Sequence, residues 1–346
     1  MRMNPLGRTG ETISELCLGT MTYSTQTSTE DAHAQIDMAL DHGINILDTA
    51  EMYPVNPVRV ETTGNSEKVV GEWLAKTGRR NDLLIATKIS GAGSKIRDGI
   101  PISSGEIVKT VEDSLRRLQT DMIDLYQLHW PNRGSYMFRQ NWTYDATQQN
   151  KADTIAHIED VLGEMQRMVD AGKIRHIGLS NESAWGTTQF VNAAEAGKGP
   201  RVATVQNEYS LLCRLYDTDM AEMSHNEDVG LLAFSPLATG FLTGKYSDGA
   251  IPDASRMTLN PGMGGRDSGR VRKAADAYVA IAQKHGLHPI HMALAWCRTR
   301  PFMASAIFGA TNVDQLKVIL GSVDVTLSDE ILKEIDQTHR LHPMPY

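Results

Sequence analysis

The sequence predicts an α/β fold closed into a (β/α)8 TIM barrel, with additional loops at its C-terminal face, and three observations predict it. Eight short aliphatic runs of strand length are spread from end to end of the chain. Amphipathic stretches with helical period separate them. Polar residues with proton-transfer chemistry stand at the ends of several runs, where a parallel barrel opens onto one face. The predicted strands are 15–18, 44–48, 83–88, 123–129, 174–180, 204–206, 230–234 and 304–308. They are apolar without strict alternation, as strands buried on both faces are. The clearest predicted helices are 30–42, 66–76, 104–118, 155–171, 185–196 and 313–320. Gly43, Gly78 and Gly172 follow three of them, and glycine suits a left-handed cap there.

Composition narrows the function. With 346 residues, 41% hydrophobic and 22% charged, the chain reads as globular, and the expectation is one barrel domain spanning 1–346. A formal charge of −8 without a basic run points away from nucleic acid and anionic membranes as partners. The start, MRMNPLGRTGE, has no signal-like apolar core, and no run approaches a membrane span, so a cytoplasmic location is expected. Cys17, Cys213 and Cys297 are isolated and read as buried thiols. His285, His288 and His291 form the one metal-like pattern. A stride of three drifts around a helix, and Gly286 and Pro289 mark a break there, so no metal is expected.

Four residues carry the chemistry: Asp48 in NILDTA, Tyr53 in AEMYP, Lys88 in IATKIS and His129 in YQLHWP. Three end predicted strands and Tyr53 follows the first of them in a loop, so a barrel gathers a carboxylate, a phenol, an ammonium and an imidazole. Singly, each has an ordinary structural explanation as a turn former, packing ring, solvated amine or core histidine. Together they read as a proton-transfer set. Two long segments, 131–153 and 246–270, exceed ordinary barrel loops. The first is rich in aromatic residues (Tyr136, Phe138, Trp142, Tyr144), the second in glycine, proline and serine.

The motifs LCLGTMTYS, GINILDTAEMYP, SEKVVGEWL, DSLRRLQTDMIDLYQLHWP, GKIRHIGLSN, VQNEYSLL, LLAFSPLATGFLTGKY and FGATNVDQL follow one another along the chain. In that order they resemble the aldo-keto reductase superfamily over essentially the whole length. Within it the chain is most similar to bacterial Tas-type NADP(H)-dependent reductases, and also similar to the β subunits of voltage-gated potassium channels. Neither GAGSK at Gly91 nor GMGGR at Gly262 completes a Rossmann fingerprint.

The resemblance implies an NADP(H)-dependent oxidoreductase that reduces an aldehyde, ketone or sugar carbonyl. Tyr53 matches the general acid, Lys88 the cation that makes its phenol more acidic, Asp48 the lysine's partner and His129 a donor toward the carbonyl oxygen. Substrate contacts are expected from Tyr53, His129, Trp130 and Trp142. Ser180, Asn181 and Gln206 match the groups that hold the nicotinamide carboxamide. Phe234, Ser235, Pro236, Leu237, Ala238, Thr239, Gly240, Phe241, Leu242, Thr243 and Gly244 match the loop and short helix along the pyrophosphate. Lys245 and Arg256 match the pair gripping the 2′-phosphate, with Gly309, Thr311 and Gln315 nearby. Val318 and Ile319 depart from a Glu and Asn of many relatives, and Phe234 from a tyrosine.

Two other readings compete. One is an NADPH-binding regulatory module with weak residual reductase activity, as the channel-subunit resemblance allows; His129, where those subunits resemble asparagine, counts against it. The other uses Lys88 as a Schiff-base nucleophile, against which the neighbouring Tyr53 and Asp48 count. The expected partner is a small-molecule carbonyl substrate, and the oligomeric state is left open.

Overall fold

The computed structural model describes residues 1–346. All eight aliphatic runs pair in parallel: β3 (Leu16–Gly19), β4 (Ile46–Asp48), β5 (Leu84–Ile89), β6 (Ile123–Leu128), β7 (Ile174–Ser180), β8 (Val202–Glu208), β9 (Gly230–Phe234) and β10 (Met303–Phe308). They close into a barrel, with β10 beside both β9 and β3. The strand expected at 204–206 runs longer. Val202 pairs with Ile177 on one side, and Asn207 and Glu208 pair with Ala233 and Phe234 on the other. Ladder pairing recruits these polar ends, which local composition does not mark.

An antiparallel hairpin, β1 (Met3–Pro5) and β2 (Thr12–Ser14), precedes the barrel. Its strands are only three residues each, so the sequence gives no periodic signal for it. Leu6 and Ile13, fully buried, close the barrel floor against Cys17, Ile46, Ala86, Leu125 and Leu232. Side chains two apart on a strand share a face. The residues following these apolar ones inside the barrel are therefore Asp48 after Ile46, Lys88 after Ala86, and Gln127 then His129 after Leu125. The interior passes from an apolar floor to a polar mouth.

The predicted helices are α1 (Thr29–Asp41), α2 (Asn65–Thr77), α3 (Ser104–Leu118), α4 (Lys151–Asp170), α5 (Ala184–Glu195) and α10 (Val313–Leu320). Ser28, Ser103, Asn150 and Ser183 cap four of them, each side-chain oxygen accepting a first-turn N–H. Further helices are α6 (Asp219–Glu227), a short α7 (Arg256–Leu259) within the segment read as loop, α8 (Gly269–Lys284), α9 (Pro289–Arg298) and α11 (Asp329–Leu341). The main core fills the space between barrel and helices, where Trp73, Tyr126 and Trp296 are fully enclosed. Gly43, Gly78 and Gly172 all have positive φ, as left-handed caps require. No helix is long and apolar enough to cross a membrane. The three cysteines are free and buried.

Candidate active site

At the polar mouth the Lys88 side chain is fully buried. Its Nζ donates to Asp48 Oδ2 at 2.7 Å and to the Thr49 carbonyl at 2.6 Å. The other carboxylate oxygen, Oδ1, accepts from Gln206 Nε2 at 2.8 Å and from Gln127 Nε2 at 3.4 Å. Burial by itself would depress the lysine, but Asp48 and Tyr53 together outweigh it and raise its pKa. The site thus holds a fixed ammonium in a dry setting.

Tyr53 presents its ring to that ammonium, Nζ lying 4.9 Å from the ring centroid. Its backbone N–H donates to Ala50 O at 3.0 Å, which folds the chain back over the end of β4. Burial raises the phenol pKa, and Lys88, pulling the other way, does not overcome it. The phenol is held as an O–H, the form that donates a proton. His129 stands edge-on to Tyr53, ring centroids 6.0 Å apart. Burial, then the Lys88 charge, pushes its pKa well below the usual imidazole range, so the ring is neutral. Its buried Nδ1 has no protein partner.

The amide-bearing residues sit beside this set. Asn181 Nδ2 donates to the His129 carbonyl at 2.9 Å, while its Oδ1 is buried without a donor. Ser180 Oγ donates to Gln206 O at 2.8 Å. An orphaned buried acceptor next to two further polar ends suits an amide ligand that brings its own N–H. Beyond β9 the chain enters a strained turn in which Ser235, Ala238, Thr239, Gly240 and Gly244 all have positive φ. Ala238–Thr243 is a kinked run of tight turns, interrupted at Thr239 and Gly240, rather than one continuous helix.

Lys245 Nζ lies 5.1 Å from the Tyr246 ring centroid, and neither it nor the partly buried Arg256 has a carboxylate partner. Burial, then the charge of Arg266, lowers Arg256 to about 10, while Tyr246 and Tyr53 pull it up. Two unpaired cations flanking one tyrosine suit a phosphate. Thr311 N donates to Gln315 Oε1 at 3.0 Å, and Gly309 is exposed at the end of β10. Ile319 is buried in the main core and Val318 exposed, and both side chains are aliphatic and offer no polar contact.

The long loops divide. Phe138 packs edge-on to Trp130, which in turn lies 5.0 Å from the His129 ring. Trp142 is 59% exposed and faces the Arg270 guanidinium, 5.7 Å from its ring. The structure does not bring it to Tyr53 or His129. Glu208 ties both loops down, accepting from Arg139 at 2.9 Å, from Arg266 at 2.7 Å and from the Tyr346 hydroxyl at 3.0 Å. Sequence reasoning missed Gln127 and Glu208. Each stands two residues from a chosen one, Gln127 before His129 and Glu208 after Gln206, and strand parity was the signal.

The three histidines of 285–291 have separate partners. His285 faces Glu334 at 3.3 Å, His288 Nδ1 caps α9 by accepting from Ile290 N, and His291 Nε2 bonds the Val318 carbonyl. His285, Glu330 and Glu334 do approach one another, but Lys284 pairs with Glu334.

Residues 15–340 match the family model described as "Aldo/keto reductase family". The chain is 46% identical to "Protein tas" of Escherichia coli over 340 residues, 96% of each chain. It is 31% identical over 343 residues to the "Uncharacterized oxidoreductase YrpG" of Bacillus subtilis, covering 97% of this chain and 95% of the relative. A "Probable voltage-gated potassium channel subunit beta" of Arabidopsis thaliana is 30% identical over 353 residues, covering 99% and 98%.

Proposed function

The chain belongs to the aldo/keto reductase family and is an oxidoreductase, and we propose that it reduces an aldehyde, ketone or sugar carbonyl with NADPH. One observation carries this reading: buried Lys88 sits between the Asp48 carboxylate and the Tyr53 ring, with neutral His129 edge-on to the same ring. NADPH, when bound, supplies the hydride. The protein's task is then to neutralise the charge that develops on the carbonyl oxygen.

Tyr53 is the proton donor in this proposal. Burial raises the phenol pKa and Lys88 opposes that rise, so the ammonium favours proton release and stabilises the phenolate left after transfer. Asp48 holds the ammonium in place at 2.7 Å. His129, being neutral, orients the carbonyl oxygen by a hydrogen bond without adding charge. For the cofactor, Asn181, Ser180 and Gln206 are assigned to the carboxamide, residues 234–244 to the pyrophosphate, and Lys245 and Arg256 to the 2′-phosphate. Gln206 has a double duty, since its amide also orients Asp48. The buried free thiols fit a reducing compartment such as the cytoplasm.

A panel of aldehydes, ketones and sugars assayed for NADPH oxidation tests the proposal. Sustained turnover of at least one class is expected. Stoichiometric binding of NADPH with no turnover of any would favour a regulatory module instead.

A further inference from the structure

A cavity of about 340 Å³ lies beside the candidate active site, between the ends of β6 and β7 and the helices α4 and α5. Strand alternation places it outside the barrel wall. Gln127 and His129 face inward, so Leu128 and Trp130 face outward, as does Leu179 before Ser180. None of Asp48, Tyr53, Lys88 or His129 lines it, and Ser180 is the one lining residue that also belongs to the proposed cofactor set. Trp130 is the partition. Its ring borders His129 on one side and the cavity on the other, and its Nε1 is anchored to Ala92 O at 3.0 Å. The volume falls within the roughly 300–1,000 Å³ of small-molecule pockets.

The walls are mainly apolar: Ile102, Leu128, Ile158, Leu179 and Phe190. Among them is one N–H group without a protein acceptor, on His157. Asn132 exchanges two hydrogen bonds with the Ile102 backbone, Oδ1 accepting at 3.0 Å and Nδ2 donating at 2.8 Å, which fixes its amide orientation. The same Nδ2 stands 3.3 Å from His157 Nε2, so that nitrogen accepts and the neutral ring carries its proton on Nδ1. Burial, helped by Arg133, lowers the His157 pKa against the opposing Asp160 and keeps the ring neutral. Arg133 Nε is enclosed away from the cavity and does not serve as a donor to it. The terminal nitrogens of Arg133 are spent on Glu182, which cancels its charge. An anion therefore finds no net cation here, and Asp153 on the lining repels it.

We propose that this cavity is a second small-molecule site, separate from the reaction pocket, for a neutral ring compound carrying a hydrogen-bond acceptor such as an ester, ether or ketone oxygen. The ring lies against Phe190, Ile158 and Leu179, and the acceptor takes the His157 proton. The occupant rests on the outward face of the strands that carry His129 and Asn181.

Methyl benzoate, which has the ring and acceptor and no carbonyl of the aldehyde or ketone class, is the probe. Its dissociation constant is measured by ligand-observed NMR on the full chain with NADP+ present. Ile158→Trp, which fills the cavity, is expected to weaken binding at least ten-fold, and His157→Leu three- to ten-fold. Tyr53→Trp, which crowds the reaction pocket instead, is expected to leave it unchanged. If Ile158→Trp does not fold, His157→Leu decides. Absence of saturable binding to the wild type, no change in the cavity variant, or loss confined to Tyr53→Trp overturns the proposal.

Discussion

Asp48→Asn removes one charge from beside a lysine that is fully enclosed. The amide preserves shape and still offers an oxygen, so what disappears is the carboxylate that accepts from Lys88 at 2.7 Å and from Gln206 at 2.8 Å. The ammonium keeps only neutral acceptors, the amide oxygen and the Thr49 carbonyl. In the wild type burial and Asp48 act oppositely on Lys88, and the combined pull of Asp48 and Tyr53 prevails. In the variant burial prevails, and the fold must hold an unpaired charge or release its proton. Breaking such a buried pair from one side costs about 3–5 kcal/mol. An unfolding entropy of roughly 2.1 cal/mol/K per residue makes that about 4–7 °C in Tm for a chain of this length. Urea unfolding at pH 7 of wild type, Asp48→Asn, Lys88→Met and the double variant completes the test. The double variant should lose less than the two single losses together, because methionine leaves no buried charge. Because the folded lysine pKa is raised, the pair's stabilisation is present below about 10.4 and is lost as pH rises through the folded value. A loss under about 1 kcal/mol at pH 7, or strict additivity, would refute the argument.

Lys245→Met with Arg256→Leu should weaken NADPH binding far more than NADH binding, since each charge-assisted phosphate bond is worth roughly 1.5–3 kcal/mol; titration of both cofactors checks it, and equal weakening contradicts it. With the Tyr53 pKa raised and that of His129 lowered, the rate of carbonyl reduction should stay level from about pH 7 to 9 and fall only above about 10. A pH–rate inflection near 6.5, about the ordinary imidazole value, would show that His129 titrates. Replacing residues 140–149 with a Gly/Ser linker should reorder substrate preference and raise KM while NADPH affinity holds. Trp142→Ala alone should do little, because that ring is 59% exposed; a large KM effect from it would return Trp142 to the substrate pocket.

The barrel was legible because strands buried on both faces must be aliphatic, and those runs are bounded by polar or glycine-rich chain. Asp48, Lys88 and His129 were legible as polar endings of such runs, and the barrel brings their ends together. Gln127 was not, lying inside IDLYQL, where one polar residue looks like an imperfection until strand parity places it against Asp48. Helix α11 escaped notice because only Ile331 and Ile335 of its 13 residues are buried. The Tyr53 phenol shows another boundary. That a lysine would oppose its burial follows from chemistry, but which effect prevails depends on how deeply the ring is enclosed, and only packing sets that. Aromatic content marked 131–153 as more than a solvated insertion without saying which rings turn inward. Phe138 reaches Trp130, whereas Trp142 faces Arg270.

The most direct test of the central claim is Tyr53→Phe, measured for kcat on the best carbonyl substrate and for NADPH dissociation. The variant keeps the ring that Lys88 faces at 4.9 Å and removes only the hydroxyl. Loss of a positioned proton donor lowers the rate by about 10²–10⁴. The account predicts a fall of that size with NADPH affinity within about two-fold of wild type, since the cofactor residues assigned above do not include the phenol. A variant that keeps most of its kcat, or loses cofactor and turnover together, would contradict it.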